Sequence, residues 1–84
     1  MDTPMNNEVV IANELIWQII KSSNVDAIAY DEQLNELHVR FKGGAHYAYE
    51  VPSMSVYSDL MVADSVGGFL NKNIKNKYKF RKVS

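Results

Sequence analysis

Several features that would assign this chain to a chemical or cellular class are missing from it. It contains no cysteine, so it can hold neither a disulfide nor a thiolate zinc site. No apolar run approaches the ~20 residues that a membrane-spanning helix needs. The N-terminus also lacks the basic and apolar regions of a signal peptide. We therefore expect a cytoplasmic protein that does not interact with a membrane.

The composition is typical of one small folded domain. Hydrophobic residues make up 46% of the 84 residues and charged residues 23%, which argues against a disordered or fibrous chain. A domain of this length buries only a small core. We divide the chain into an N-terminal extension, residues 1–18, and a single domain with a basic C-terminal segment, residues 19–84.

Charge is distributed unevenly along the chain. Residues 1–70 contain all ten acidic residues and three basic ones, which gives a net charge of −7. Residues 71–84, here called the basic C-terminal segment, contain six basic residues and no acidic one. Such a separation is typical of a segment that binds an anionic partner, or of one that docks on its own acidic domain.

Apolar residues dominate residues 8–20. Ile11, Leu15 and Ile19 are spaced as on one face of a helix, and we predict that the extension is helical. The alternative is an extra strand that begins near Trp17, because residues 17–20 are rich in strand formers. In either case the apolar surface must pack against something, either the domain or another subunit.

Three stretches alternate apolar and polar residues as antiparallel strands do. They cover residues 25–30, 37–41 and 47–51, are joined by short turns, and end at Pro52. Residues 53–63 then follow helical spacing, and a second helix begins near Ser65. Residues 78–83 form a short edge strand or a flexible arm. We therefore predict an α+β fold, in which a three-stranded antiparallel meander is followed by two helices packed on one face.

The order and spacing of these motifs, over roughly residues 20–80, resemble the KTSC domain family. The matching motifs are Ser22-Ser23-Asn24-Val25, Ile28-Ala29-Tyr30-Asp31, Leu37-x-Val39-x-Phe41, Gly44, Tyr47-x-Tyr49, Val51-Pro52, Val56-Tyr57-x-x-Leu60-x-x-Ala63-x-Ser65-x-Gly67, Asn71-x-x-Ile74 and Tyr78. Leu70 departs from the pattern, in which an aromatic residue usually precedes the asparagine. The family is named after a domain at the C-terminus of some lysyl-tRNA synthetases, and it includes small free-standing bacterial and phage proteins. The resemblance supports the fold, and it implies RNA binding only through the synthetase context.

The length of the turn at residues 43–45 decides where Tyr47 and Tyr49 point. A two-residue turn places them opposite the apolar face of the preceding strand, as an aromatic surface on which nucleic-acid bases could stack. A three-residue turn pairs Phe41 with Tyr47 and Val39 with Tyr49, so that all the large apolar groups share one face. We favour the second register, because it gives a small domain the better core.

The start of the second helix is a candidate ligand site. Ser65 as the N-cap, with Gly67 and Gly68 in the first turn, leaves backbone N–H groups free to bind a phosphate or a carboxylate. We include Asn71, which belongs to the matching pattern. The alternative is that the two glycines allow the helices to pack closely.

The basic C-terminal segment is a candidate nucleic-acid site. Its cations alternate with Tyr78 and Phe80 and could neutralise several phosphates. The candidate residues are Lys72, Lys75, Lys77, Lys79 and Arg81. The alternative is a solvated terminus that only offsets the acidic charge of the domain.

Catalysis finds little support in the sequence. There is no cysteine nucleophile, no phosphate-loop lysine and no nucleophile elbow. His38 and His46 could approach each other across the second hairpin, but two histidines on a sheet surface usually have no chemical role. We predict no catalytic residues, no cofactor and no metal ligands.

Three hypotheses follow, and all of them are non-enzymatic. The first is a module that binds RNA, or another phosphate-bearing ligand such as a nucleotide, through the basic C-terminal segment and the glycine helix start. The second is a protein-interaction module, or a homo-oligomer formed through residues 8–20. The third is a phage or bacterial protein that inhibits a host factor or sequesters a nucleotide signal.

Overall fold

The computed structural model, which describes residues 3–12 and 14–84, contains one antiparallel sheet and two helices. The sheet has six strands, in the order in which they occur along the chain. The elements are β1 (Thr3–Ala12), β2 (Leu15–Lys21), β3 (Val25–Asp31), β4 (Glu36–Phe41), β5 (His46–Glu50), α1 (Met54–Met61), α2 (Val66–Asn73) and β6 (Phe80–Lys82). The predicted α+β fold is confirmed, but the three-stranded meander was incomplete, since β1, β2 and β6 extend it on both sides.

The favoured prediction of an N-terminal helix is wrong and the alternative of an extra strand is confirmed, because the described residues form β1 and part of β2. Trp17 points to one face of the sheet and Ile16 and Ile20 to the other, so β2 has apolar side chains on both faces. A strand of this kind has no clear alternation, and its apolar spacing also fits a helix. The abundant β-branched residues decide in favour of the strand. Residues 1, 2 and 13 lie outside the described residues.

The turn between β4 and β5 has the predicted odd length, but it occurs one residue earlier than predicted. Arg40 pairs with His46 and Val39 with Tyr47, and the Phe41 N–H donates to the Ala45 carbonyl at 2.8 Å. The two glycines that follow Lys42 adopt φ angles of +97° and +101°, which side chains disfavour. A register shift of two residues leaves every side chain on its predicted face.

The two helices cover one face of the sheet and form the larger core. Tyr49 is only 3% exposed there, as the favoured register predicted, whereas Tyr47 is half-buried at its edge. The buried members of this core are Ile20, Val25, Ile28, Leu37, Val39, Tyr49, Val51, Leu60, Val66, Leu70 and Ile74. Ser53 caps α1 and Ser65 caps α2, each through its hydroxyl oxygen, close to the predicted helix starts.

The opposite face of the sheet carries a second, smaller core. Trp17, Ala27 and Ala29 form it, and Ala48 is fully buried on the same face. The two histidines placed on a sheet surface by the sequence analysis are buried here, His38 at 6% exposure. That prediction was wrong because it omitted the N-terminal hairpin, whose Trp17 covers this face.

Neither α1 nor α2 is long and apolar enough to cross a membrane, and no other helix occurs among the residues described.

Candidate functional site

An open groove lies between the end of α2, the β4–β5 turn and β6. Four aromatic rings line it, and its volume is about 390 Å³. We call it the aromatic groove; it is lined by Phe41, Tyr47, Tyr49, Phe80 and Lys75, together with Ala45 and Asn76.

The rings of the groove form a connected series. The Tyr47 ring lies edge-on to Phe41 at 5.8 Å and to Phe80 at 5.6 Å between ring centroids, and Tyr49 lies 5.7 Å from Phe80. These separations fall in the range that aromatic pairs prefer. Phe80 stays 57% exposed, so part of the series is accessible to a ligand.

Strand pairing explains why these rings meet. β5 pairs with both β4 and β6, and paired residues share a face of the sheet. Val39, Tyr47 and Lys82 are aligned across three strands, and Tyr49 is aligned with Phe80. Residues 78–83, predicted as either an edge strand or a flexible arm, thus contain the edge strand β6. Phe80 of this strand lines one side of the groove.

Lysines lie on one side of the groove. The Lys75 ammonium lies 4.9 Å from the centre of the Phe41 ring, within the range of a cation–π interaction. A second, shallow pocket of about 510 Å³ adjoins the groove. Lys75, Lys77 and Lys79 line this adjoining surface together with Glu50. Three of the cations predicted to bind nucleic acid are thus brought together beside exposed aromatic surface.

Tyr49 of the groove keeps its phenolic proton at neutral pH. Burial, followed by the charge of neighbouring Tyr47, raises the pKa of Tyr49 above its usual value. The Tyr49 hydroxyl is therefore a hydrogen-bond donor on a neutral ring.

The glycine helix start does not join the groove. α2 has eight residues, so Ser65 at its N-terminus and Lys75 beyond its C-terminus lie roughly 12 Å or more apart along the helix axis. The Ser65 hydroxyl already accepts the Gly68 N–H at 3.1 Å, and Gly67 is buried. A side chain at Gly68 would come within 3.2 Å of that hydroxyl, so cap packing explains this glycine. Asn71 and Lys72 are exposed on α2.

Arg81 faces away from the groove, because successive residues of β6 point to opposite sides of the sheet. Its guanidinium binds the Glu36 carboxylate through two hydrogen bonds, of 3.0 and 3.2 Å. Glu36 lies beside His38, whose Nδ1 is 2.8 Å from His46 Nε2. We call Glu36, His38, His46 and Arg81 the histidine cluster; it lines a pocket of about 370 Å³.

Both histidines of this cluster are neutral at physiological pH. Burial is the main cause, and it lowers the pKa of His38 although the nearby Glu36 acts in the opposite direction. Burial also lowers the pKa of His46, and the charge that His38 carries when protonated, with the charges of Arg40 and Arg81, lowers it further. Asp31, Glu36 and His38 each offer a ligand atom within 4.8 Å of the others, and together they could hold a metal ion.

No role was predicted for the histidine cluster from the sequence. The odd length of the β4–β5 turn could have indicated it, because this turn places the side chains of His38 and His46 on the same face of adjacent strands. The sequence did not show that the two histidines are buried, because their burial depends on Trp17 and on the pairing of β6 with β5.

The comparisons with known proteins agree with this fold. A family model described as the KTSC domain matches residues 21–78. A protein from Tsukamurella paurometabola is 41% identical over 63 residues, which cover 74% of this chain and 92% of the relative. A lysine–tRNA ligase from Nostoc punctiforme is 34% identical over 82 residues, which cover 95% of this chain but 15% of the ligase. The crystal structure of a KTSC domain protein from Yersinia pestis matches with a TM-score of 0.74 and 30% identity, covering 81% of this chain and 96% of that one.

Proposed function

The chain belongs to the KTSC domain family, and we propose that it is a non-enzymatic module that binds single-stranded RNA or another phosphate-bearing ligand. The observation that carries this proposal is the aromatic groove, in which accessible rings lie next to a group of lysines. Proteins that bind single strands combine these two features, since bases stack on aromatic side chains while cations contact the phosphates.

Phe80 is the ring best placed to receive a base. It is the most exposed of the four, and Tyr47 and Tyr49 support it from the core side. Stacking of one base on an aromatic side chain contributes about 1–3 kcal/mol. Lys75, Lys77 and Lys79 then lie beside the base, where the flanking phosphates would pass. Glu50, on the same surface, limits how many phosphates can be accommodated.

The nature of one relative makes RNA the first ligand to test. The protein from Nostoc punctiforme is a lysine–tRNA ligase, and it contains a region similar to nearly all of this chain. The glycine helix start stays outside the proposed site, because the Gly68 N–H already donates to the cap and Gly67 is buried.

Binding of labelled single-stranded RNA and DNA, followed by fluorescence anisotropy over a series of salt concentrations, tests the proposal. We expect affinity to fall as salt rises, because each phosphate contact releases counterions. Lys75→Gln should weaken binding and reduce the salt slope by roughly one contact. Lys21→Gln, which removes an exposed cation of β2, is the matched control and should leave binding unchanged.

The aromatic contribution is tested separately. Phe80→Ala should cost about 1–3 kcal/mol of binding free energy while leaving the salt slope unchanged. Val62→Ala, which removes an exposed apolar side chain at the end of α1, should have no effect. Absence of binding at low salt, or binding that does not depend on salt, would exclude the proposal.

A second candidate function, self-association through the N-terminal hairpin, is favoured by one observation. Val9, Val10, Ile11 and Ile16 are all exposed on β1 and β2. β1 is also an edge strand, and its outer backbone groups are a template for pairing with another strand. Antiparallel pairing of β1 with β1 of a second copy would form a continuous sheet across a symmetric dimer.

Light scattering decides between a monomer and such a dimer. We expect a dimer that is converted to a monomer by Ile11→Lys, because the charge would enter the apolar contact. Val62→Lys places the same charge on an equally exposed apolar position outside the hairpin and should leave the dimer intact. A wild-type protein that is monomeric at high concentration would contradict self-association.

A further inference from the structure

The histidine cluster contains a buried polar atom without a partner. His38 Nε2 makes no well-directed hydrogen bond to any described residue, although His38 is only 6% exposed. The Glu36 Oε1 lies 3.4 Å from it, which is long for a hydrogen bond and leaves at most a weak one. A buried ring nitrogen left in this state is costly, so its surroundings require an explanation.

The other nitrogen of His38 shows which form of the ring leaves Nε2 available. His38 Nδ1 lies 2.8 Å from His46 Nε2, so one of these nitrogens donates a proton to the other. When His38 donates, its Nε2 carries a lone pair that faces the carboxylate of Glu36. In this tautomer two electron-rich atoms oppose each other in a buried site, and a cation between them would stabilise it over the other tautomer, in which Nε2–H faces Glu36.

The spacing of these atoms fits a metal ion. In a tetrahedral site with bonds of about 2.0–2.1 Å, two ligand atoms lie about 3.3–3.4 Å apart. The separation between His38 Nε2 and Glu36 Oε1 is 3.4 Å. Asp31 adds a second carboxylate, and one ligand atom from each of Asp31, Glu36 and His38 lies within 4.8 Å of the others. The Asp31 carboxylate is held in place because one oxygen accepts the backbone N–H groups of Gln33 and Leu34.

We propose that His38 Nε2, the Glu36 carboxylate and the Asp31 carboxylate bind one divalent transition-metal ion, with Zn²⁺ as the best match. An imidazole nitrogen favours Zn²⁺ over Mg²⁺ or Ca²⁺, which take oxygen ligands. His46 acts as a positioning residue, because its hydrogen bond to Nδ1 fixes the ring and the tautomer of the ligand.

Arg81 competes with the metal for Glu36. Its guanidinium now holds both carboxylate oxygens, but its own side chain is 56% exposed. The arginine can therefore swing into solvent when the ion binds, while Glu36 and His38 stay in place. Removing the arginine should therefore raise the affinity for the metal. If the Arg81–Glu36 ion pair had only a structural role, its removal would not raise that affinity.

Zinc titration of the untagged full-length chain, monitored by competition with a chromophoric chelator, tests the site. We expect one ion per chain, no competition from Mg²⁺, and a loss of about 100-fold in affinity for His38→Gln. His46→Gln should lose about tenfold, as outer-shell partners of metal ligands do. Arg81→Gln should bind more tightly than the wild type. Asp59→Asn, which removes a carboxylate of α1 outside the cluster, is the control and should bind as the wild type does.

A long-range ¹H–¹⁵N spectrum of the wild-type protein tests the same site without depending on the folding of His38→Gln. The chain has only two histidines, so a long-range ¹H–¹⁵N spectrum resolves their ring nitrogens. Zinc should shift the Nε2 signal of His38 and leave a proton on its Nδ1. The proposal is overturned if zinc moves neither nitrogen of His38, if His38→Gln binds zinc as tightly as the wild type, or if Arg81→Gln binds it more weakly.

Discussion

Replacing Trp17 by alanine would test whether the N-terminal hairpin is part of the folded domain. Trp17 lies in the segment that the sequence analysis treated as an extension, yet it is only 1% exposed. Its ring packs edge-on against His46 at 5.1 Å and His38 at 6.1 Å, and the Arg40 guanidinium lies 4.8 Å from its centre. The smaller core is built around this one side chain.

The loss of unfolding free energy expected for Trp17→Ala follows from the burial of the ring, reduced by the cost of its buried N–H. An aromatic side chain that buries 150–250 Å² contributes ~4–6 kcal/mol at ~25 cal/mol per Å². Measured losses for Trp or Phe replaced by Ala in cores are ~3–5 kcal/mol. The indole Nε1 of Trp17 is buried and has no hydrogen-bond partner among residues 3–12 and 14–84, which costs about 1–3 kcal/mol in the wild type. We therefore expect Trp17→Ala to lose about 3 kcal/mol.

That loss is large for this domain. A chain of 84 residues has a total stability of ~4–13 kcal/mol. A loss of about 3 kcal/mol lowers the melting temperature by ~12–24 °C. Urea unfolding followed by far-UV circular dichroism measures the change, since the variant has no tryptophan for fluorescence. Trp17→Phe should lose less than about 1 kcal/mol, because it also removes the unpaired N–H.

The control lies at the end of α1, outside the hairpin. Val62 is 82% exposed, so Val62→Ala should change the free energy of unfolding by less than about 0.5 kcal/mol. If Trp17→Ala costs less than about 1 kcal/mol, the hairpin does not close the second face as described, and the burial of both histidines loses its explanation.

The remaining predictions concern the histidines, the β4–β5 turn and the cap of α2. The pKa values of His38 and His46 are lowered by folding, so below pH 6.5 the unfolded chain binds more protons than the native state. Stability should be complete above pH 6.5 and fall as the pH decreases through that value towards the lowered pKa values, which urea midpoints measured from pH 8 to pH 5 will show. Gly44→Ala should cost about 1–3 kcal/mol because φ is +101°, and a thermal melt that matches the wild type would exclude this backbone strain. Ser65→Ala should cost about 1 kcal/mol through loss of the helix cap, without weakening RNA binding if the helix start lies outside the site.

The local patterns of the central strands and helices were enough to predict that part of the fold. Alternation at Leu37, Val39 and Phe41 placed β4, and serines marked the beginnings of both helices. The parity of the β4–β5 turn was predicted from the volume of the core, which favoured Tyr49 inside. Each of these predictions depends on neighbours in sequence or on one hairpin, so a single sequence contains the information.

The N-terminal strands and the histidine cluster could not be predicted in the same way. Both faces of β2 are apolar, so its periodicity did not separate strand from helix. The burial of His38 and Glu36 then depends on contacts that are distant in sequence, with Trp17 on one side and Arg81 on the other. A prediction that lacked the N-terminal hairpin necessarily left the second face of the sheet open to solvent.

The division of β6 between the two faces changes the expected salt dependence of nucleic-acid binding. If all six cations of the basic C-terminal segment contacted one nucleic-acid strand, each contact would contribute about −0.7 to the slope of log K against log salt. The slope would then be about −4. In the structure, Lys75, Lys77 and Lys79 line the groove and its adjoining surface, whereas Arg81 is held by Glu36 on the opposite face. Three phosphate contacts predict a slope of about −2. A measured slope near −4, unchanged in Lys75→Gln, would show that the ligand does not follow the groove.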